Sequence, residues 1–236
     1  MGLPTFSPLE EARLVHSVAA AAEQAWVQIE PPPGWNAEHV AAGQFCKMRI
    51  DGKEGIFAMY SAPGELGAEF LVRVGNPDGG EAADALVALP DGARVAISRP
   101  AGRGFDLRAA RGCDLHFVAT GTGIAPVRAA IETVLADRAS YGELSLDHGV
   151  RTEAHLAVGS ALDRWRSLGI DVRIAYSRIA EDGRLIGSTV QASLRQRTMR
   201  VDRAYVLAVG QSTMLEELVT IVGERGADAT RVLTNL

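Results

Sequence analysis

The stretch from His116 to Arg128 combines residue types that bind a phosphate. It reads His-Phe-Val-Ala-Thr-Gly-Thr-Gly-Ile-Ala-Pro-Val-Arg, so an apolar run ends in a Gly-Thr-Gly turn and Pro126 then opens a helical pattern. Glycines let backbone N–H groups approach phosphate oxygens, and a helix N-terminus attracts an anion. The motif predicts a nucleotide-binding turn between a parallel strand and a helix. A tight turn needed only for packing is the alternative.

The helix after this turn should present one apolar face. Apolar residues recur at the i, i+3, i+4, i+7 and i+8 spacing of a half-buried helix, at Val127, Ala130, Ile131, Val134 and Leu135. Proline is tolerated in a first helical turn because its missing N–H is not needed there.

The composition limits the class of protein. The chain has 236 residues, of which 47% are hydrophobic and 22% charged, which is enough for one large domain or two small ones. The net charge of -5 argues against a nucleic-acid binder. No apolar run approaches the roughly 20 residues of a membrane helix, and no signal peptide is evident. We therefore expect a cytoplasmic protein that neither binds nucleic acid nor inserts into a membrane.

The potential metal ligands are few and poorly spaced. Cys46 and Cys113 form no C-x-x-C pair, which predicts buried free thiols rather than an iron–sulfur cluster or structural zinc. The histidines show no metal spacing, and His148 and His155 are predicted to be surface or helix residues without a role.

The first 110 residues have the pattern of a β-rich domain. Short segments at 25–29, 44–50, 55–60, 70–74 and 94–98 are separated by turn signals, which predicts an antiparallel barrel or sandwich. The alanine-rich segment 18–22 precedes an extended pattern, so we interpret it as strand, turn and strand rather than helix.

The remaining residues alternate strands with helices. Apolar segments at 115–119, 143–147, 172–176, 205–209 and 231–233 predict a five-stranded parallel, Rossmann-like sheet. The last helix shows a capping box at Thr213 and Glu216 and an apolar stripe of Leu215, Leu218, Val219 and Val222. We expect a β-barrel domain over residues 1–110 and an α/β domain over residues 111–236, with a cofactor pocket at their junction.

Motifs along most of the chain resemble the ferredoxin–NADP reductase superfamily. In the first half these are Ala-Gly-Gln-Phe at 42–45, Ala-Met-Tyr-Ser at 58–61, the strand 70–74, the turn 80–83 and the glycine-rich loop 99–105. In the second half they are the loop 121–126, Gly-Val-Arg at 149–151, Ser-Arg at 177–178 and the segment 209–214. The overall look is most similar to plant plastid reductase-like proteins and dihydroorotate dehydrogenase electron-transfer subunits.

The resemblance implies a flavin site on the barrel, holding FAD, with FMN as the alternative. Tyr60 would lie against the flavin ring and Ser61 would bond near N5, and these are the predicted catalytic residues. A tyrosine packed in a barrel and a serine that ends a strand are the alternatives. The predicted flavin-binding residues are Met59, Tyr60, Ser61, Val72, Arg73, Val74, Gly80, Glu81, Ala82 and Ala83.

The resemblance also implies a pyridine-nucleotide site on the α/β domain, for NADP(H) or NAD(H). Arg151 and Arg178 would hold adenosine phosphates, because a guanidinium makes two charge-assisted bonds to one phosphate. Solvated surface arginines are the alternative. The predicted residues are Thr120, Gly121, Thr122, Gly123, Ile124, Ala125, Pro126, Arg151, Ser177, Arg178, Gly210, Gln211 and Met214.

Three residues depart from the family pattern. Ala58 replaces the arginine and Ala83 the hydroxyl residue that help to neutralise the FAD diphosphate in the family, and Val209 stands where relatives have a cysteine. Each lost contact to a charged group is worth roughly 1.5 to 3 kcal/mol. Backbone donors around Gly80 and another arginine, such as Arg73, Arg99 or Arg103, would have to compensate, and otherwise we expect flavin to bind weakly, as FMN, or not at all.

Two hypotheses follow from the resemblance and these departures. The first is an oxidoreductase that passes electrons from NAD(P)H through FAD to a protein or small-molecule acceptor. The second is a non-catalytic or accessory subunit of a larger redox complex with weakened flavin binding. The acceptor and the oligomeric state stay open.

Overall fold

A computed structural model describes residues 5–76, 80–181, 184–200 and 202–234. The first part is an antiparallel sheet in the order β4-β3-β6-β1-β2-β5. Its strands are β1 (Glu10–Ala21), β2 (Gln24–Glu30), β3 (Phe45–Ile50), β4 (Lys53–Ala58), β5 (Ala68–Arg73) and β6 (Arg94–Ile97). Two short helices, α1 (Trp35–Glu38) and α2 (Glu81–Val87), accompany the sheet.

The sheet closes into a barrel where its two edge strands meet. Met59 and Phe70 form an antiparallel bridge, and the Tyr60 backbone N–H donates to the Glu69 carbonyl at 2.7 Å. Both bridge side chains are fully buried in the barrel core, together with Leu14, Trp35 and Met48. The predicted barrel is therefore confirmed, and the core is apolar because alternate residues of every strand point inward.

The alanine-rich segment was interpreted correctly. Strand β1 runs to Ala21, the chain turns at Glu23 with a φ of 58°, and β2 begins at Gln24. The strand also extends back to Glu10, which the sequence pattern did not predict. Its first residues, which include Glu10, Glu11 and Arg13, pair with β6, and the pairing with β2 begins at Arg13.

The second part contains, in the described residues, a parallel sheet of five strands in the order β13-β12-β7-β8-β9, as predicted. They are β7 (Asp114–Thr120), β8 (Leu144–Val150), β9 (Ile170–Tyr176), β12 (Ala204–Val209) and β13 (Val232–Leu233). A hairpin that was not predicted, β10 (Ile179–Glu181) and β11 (Arg184–Ile186), follows β9. The helices are α3 (Ile124–Ala136), α4 (Gly159–Ser167), α5 (Val190–Gln196) and α6 (Ser212–Glu224).

Helix α3 agrees with its predicted face, whereas α6 corrects one detail. Of the predicted α3 stripe, Leu135 alone is only partly buried. Helix α6 begins at Ser212 after Gln211, so Thr213 lies inside the first turn and the predicted capping box does not form. Val219 is 38% exposed, and Met214 and Ile221 complete the buried face instead. The helix starts two residues earlier than the predicted capping box implies, and its buried face is formed by Met214, Leu218, Ile221 and Val222.

His148 corrects the prediction of a surface or helix residue. It lies in β8 and is 1% exposed, because neighbouring strands flank β8 and helices cover it. Burial lowers the pKa of His148 to about 4, opposed by the Ala119 carbonyl at 3.3 Å from Nδ1. His155 lies in a short 3-10 helix, which agrees with the prediction of a surface or helix residue. Cys46 is buried, Cys113 is only partly buried, and both are free.

The buried histidine predicts a pH-dependent stability. The folded-state pKa of His148 lies below its ordinary value of 6.5, so the unfolded chain takes up the proton first as the pH falls. Because protonation and unfolding are linked, the free energy of unfolding should fall as the pH is lowered. His148 should account for a fall of about 2 kcal/mol between about pH 7.5 and pH 5. Urea unfolding at both pH values measures the loss. His148→Gln should remove this share of the pH dependence, and an unchanged difference between the two pH values would contradict the prediction.

Candidate functional site

A cleft of about 1340 Å³ lies between the barrel and the parallel sheet. This volume exceeds the roughly 300–1,000 Å³ of a pocket for one drug-sized ligand. Both parts of the chain line it. From the barrel come residues 22–24, 52–58, 71–73 and 80–83, and from the α/β part come residues around the strand ends at 120–123, 149–151, 177–178 and 209–211.

The barrel side of the cleft is a gap between two strands. Strands β4 and β5 meet at the Met59–Phe70 bridge, and the strand pairing does not continue past it. Residues 56–58 of β4 and residues 71–73 of β5 then face the cleft from opposite sides. An unpaired strand edge leaves backbone N–H and C=O groups for a planar ligand.

The other side of the cleft lies at the carboxyl ends of the parallel strands. Strand β7 has β12 on one side and β8 on the other, so the chain order reverses beside it. Ligands of open α/β sheets bind in the crevice outside such a reversal. Thr120, at the end of β7, and the turn that follows it line the cleft here.

Three glycines shape this crevice. Gly121 has a φ of +52° and nothing within 4 Å of where its Cβ would be, so its backbone is open to a ligand. A Cβ on Gly123 would lie 2.8 Å from the Val209 carbonyl oxygen, which explains why the turn can pack on β12. A Cβ on Gly210 would collide with Thr120 and Met214. The residues present fit a phosphate-bearing group placed above the start of α3.

Positive charge collects at one end of the cleft. Arg151 and Arg178 follow the ends of β8 and β9, and the Arg178 backbone N–H donates to the Arg151 carbonyl at 2.8 Å. Among the described residues the Arg178 side chain has no hydrogen-bonding or ionic partner, so it is available to an anion. The Arg151 guanidinium instead donates to Glu23 at 2.6 Å.

The structure brings most of the predicted site residues into the cleft. Lining it are Val72, Arg73, Gly80, Glu81, Ala82, Ala83, Thr120, Gly121, Thr122, Gly123, Pro126, Arg151, Ser177, Arg178, Gly210, Gln211 and Met214. Ile124 and Ala125 are buried beneath it in α3. The Val74 backbone N–H donates to the Glu23 carbonyl at 3.0 Å, so it is already engaged.

The predicted catalytic pair lies outside the cleft lining. Ser61 is fully buried, and its hydroxyl accepts a hydrogen bond from the Glu69 backbone N–H at 3.3 Å. Met59 is in the barrel core. Tyr60 is partly buried against the core of the α/β part. The barrel closure directs these side chains away from the gap between β4 and β5.

An arginine covers one face of Tyr60. The Arg128 guanidinium of α3 lies 4.8 Å from the ring centroid, donates to the Tyr60 carbonyl at 3.2 Å and pairs with Glu65. Burial raises the pKa of Tyr60, and the nearby Arg128 charge opposes that shift. Any planar group that stacks on this face must displace the guanidinium, because the ring cannot hold both.

The residues that depart from the family pattern line the cleft. Ala58 and Ala83 both line it, and neither supplies a polar side chain. Of the three candidates for compensation, Arg73 is in the cleft, whereas Arg99 binds Glu10 through two nitrogens at 2.5 and 2.8 Å. Glu81 stands in the first turn of α2, where its carboxylate repels a diphosphate.

Several cleft residues were missed by the sequence analysis. Glu23, Gln24 and His155 enter through contacts between the two parts of the chain. Thr189, Val190 and Gln191 enter with α5, where the Thr189 hydroxyl caps the helix by accepting from Ala192 at 3.2 Å. The threonine before an apolar position was a usable signal for that helix start. No local signal marks the other residues.

The α/β part matches a known domain family, and the whole chain has a known fold. A model of the oxidoreductase NAD-binding domain matches residues 117–220. The structure resembles a ferredoxin NADP+ reductase from Neisseria gonorrhoeae with bound FAD and NADP, with a TM-score of 0.78 and 19% identity over 93% of this chain and 92% of that one. It also resembles the flavohem-like FAD/NAD-binding domain of a Vibrio cholerae nitric oxide dioxygenase, with a TM-score of 0.81 and 15% identity over 97% and 98% of the two chains.

Residues 117–220 thus match the oxidoreductase NAD-binding domain family, and the whole chain has the fold of ferredoxin–NADP reductase-like proteins. A curated relative is reductase component 2 of terephthalate 1,2-dioxygenase from Comamonas sp, 27% identical over 158 residues, 66% of this chain and 46% of that protein. Our chain thus spans about half the length of the curated relatives it matches. Within the described ranges, no helix is both long and apolar enough to cross a membrane, and no group of three or more metal-ligating side chains is present.

Proposed function

We propose that this protein is a member of the ferredoxin–NADP reductase superfamily, a flavin-dependent oxidoreductase that passes electrons from NAD(P)H through FAD to an acceptor. The observation that carries the proposal is a large cleft shared by the β4–β5 gap and the carboxyl ends of the parallel strands. Two flat ligands entering from opposite sides would meet there. The relatives named above point the same way, since one has bound FAD and NADP.

The α/β domain, residues 111–236, would bind the pyridine nucleotide. The open backbone of Gly121 and the start of α3 would take its pyrophosphate, and Arg178 would take a phosphate of the adenosine end. Gly210 lets Thr120 and Met214 pack against the end of β12, and all three residues line the part of the cleft where a nicotinamide ring would lie. The bound cofactors would supply the hydride chemistry, and the protein would set distance and angle.

The barrel domain, residues 1–110, would bind the flavin along the free edge of β5. Residues 72 and 73 would offer backbone groups, and the Arg73 guanidinium would face the diphosphate. Tyr60 and Ser61 stay predicted catalytic residues, and for Tyr60 the role requires that Arg128 move off the ring or that the flavin take the other face.

The electron acceptor would be a redox protein or a small molecule. The Comamonas relative is the reductase component of a dioxygenase, which favours a partner protein. The predicted cytoplasmic location depends on composition alone.

A second candidate function is the accessory subunit. The covered face of Tyr60, the alanines at 58 and 83 and the carboxylate of Glu81 all weaken a flavin site. Under this hypothesis the α/β half would keep its nucleotide and the barrel would contribute only to assembly.

An absorbance scan separates the two candidates. We expect the purified chain to be yellow, or to retain yellow flavin after FAD is added and the excess removed, and to bleach without oxygen on addition of NADPH or NADH. A chain that retains no flavin after this treatment and co-purifies with a second subunit would overturn the oxidoreductase proposal and favour the accessory one.

A further inference from the structure

The turn between β1 and β2 fastens the barrel to the α/β part. The Ala22 backbone N–H donates to the Ala154 carbonyl at 2.7 Å, and the Gln24 amide donates to the His155 carbonyl at 2.7 Å. Between these two bonds, Glu23 accepts from the Arg151 guanidinium at 2.6 Å. We call Ala22, Glu23 and Gln24 the clip.

The Glu23 carboxylate faces two cleft arginines. Its Oε2 atom lies 2.6 Å from Arg151 Nη1 and 3.8 Å from Arg73 Nη2. The positive φ of Glu23 and the bond from the Val74 N–H to its carbonyl hold the turn in place. A protein carboxylate therefore already occupies the guanidinium that a ligand phosphate would use.

The strand order places this contact at one end of the bound nucleotide. The pyrophosphate turn follows β7, whereas Arg151 and Arg178 follow β8 and β9, the next strands outward. Strands are about 4.8 Å apart, so these arginines lie roughly 5 to 10 Å from the turn. That is the adenosine side of a dinucleotide whose pyrophosphate sits at Gly121.

We propose that Glu23 is a specificity-determining residue, whose carboxylate competes for Arg151 and selects against a 2′-phosphate on the adenosine ribose. The inference depends on the proposed nucleotide site but not on the flavin. A 2′-hydroxyl loses nothing to this competition, whereas a 2′-phosphate must displace Glu23 or bind beside its negative charge. This contact therefore lowers the affinity of the cleft for NADPH-type ligands relative to NADH-type ligands.

The expected effect is moderate because the ion pair is partly exposed. The Arg151 and Glu23 side chains are 35% and 43% exposed, and such pairs contribute up to about 1 kcal/mol, or about fivefold in a binding constant. We expect Glu23→Gln to bind adenosine 2′,5′-bisphosphate about three- to fivefold more tightly while AMP binding changes by less than about twofold. Calorimetry on the full chain in low salt measures both.

Two further variants show whether the gain passes through Arg151. Glu54→Gln is the matched control, since Glu54 also lines the cleft but pairs with Lys47, and it should leave the ratio of the two affinities unchanged. In the double variant Glu23→Gln, Arg151→Gln the gain should disappear. The Ala22 and Gln24 bonds stay intact in Glu23→Gln, so the clip should hold.

Other outcomes overturn the inference. An equal gain for both probes, or an equal gain in Glu54→Gln, would show a general field effect instead. Failure of both the wild type and Glu23→Gln to bind the bisphosphate would show that Arg151 is no anion site. Neither result affects the absorbance test, which measures flavin binding independently of Glu23.

Discussion

Replacing Asp147 with alanine is expected to lower the free energy of unfolding by about 3 to 5 kcal/mol. Asp147 is fully buried in β8, and the Arg197 guanidinium donates to it at 2.5 Å. Arg197 also binds Asp171 and donates to the Leu146 carbonyl at 3.1 Å, and the Ser193 hydroxyl completes the shell of Asp147. Without Asp147, the 4% exposed arginine would lose its buried counter-charge, because Asp171 is itself half exposed.

Helix α5, which ends just before Arg197, offers a control. Arg195 lies two residues before Arg197 and pairs with Glu224 at 2.7 Å, but both side chains are about half exposed. Arg195→Ala should therefore cost less than about 1 kcal/mol. Unfolding curves in guanidinium chloride, recorded for the wild type and the two variants, measure the difference in the free energy of unfolding. Equal costs for Asp147→Ala and Arg195→Ala would contradict the prediction.

The Asp147→Ala substitution should also alter the cleft. Arg197 and Ser193 tie the end of α5 to the central strands, and the start of α5 contributes Thr189, Val190 and Gln191 to the lining. Asp147→Ala should consequently weaken nucleotide binding even in protein that is still folded, because Ser193 and Arg197 both lose their bonds to Asp147 of β8.

Replacing Ala58 with arginine is expected to raise FAD affinity by about 10- to 100-fold. Ala58 lines the cleft at the end of β4, in the position where the family motif has arginine. A charge-assisted bond to a phosphate is worth roughly 1.5 to 3 kcal/mol, and each 1.4 kcal/mol is a factor of ten. Ala58 is only partly buried and faces the gap between β4 and β5, so a longer side chain has space to enter.

The control for this variant is Ala58→Met, which adds comparable length without charge. Titrating FAD into each protein and following flavin fluorescence gives the dissociation constants. We expect the methionine variant to stay within about threefold of the wild type. An arginine variant that gains no more than the methionine variant would show that no flavin diphosphate approaches this position.

The sequence by itself determined the order of the elements and the type of each sheet. Period-two segments with turn residues between them specify the barrel strands, and the alternation of apolar strands with helical stripes specifies the parallel sheet. The turn at Gly121 and the start of α3 were also predicted, because glycine, proline and the i, i+3, i+4 spacing act locally. These features need no knowledge of distant residues.

Only the tertiary structure determines which charged groups pair in the site and which side chains are accessible to a ligand. Glu23 meets Arg151 across 128 positions of the chain, and Arg128 meets Tyr60 across 68. His148 is buried because its strand lies between two others, and nothing in its neighbouring residues shows that. Ion pairing, ring coverage and burial depend on which elements pack together. A sequence pattern contains only the spacing of residues within one element. It therefore predicted the cleft residues of the strands and turns, but not the residues from other elements, such as Glu23 and Arg128, that pair with them.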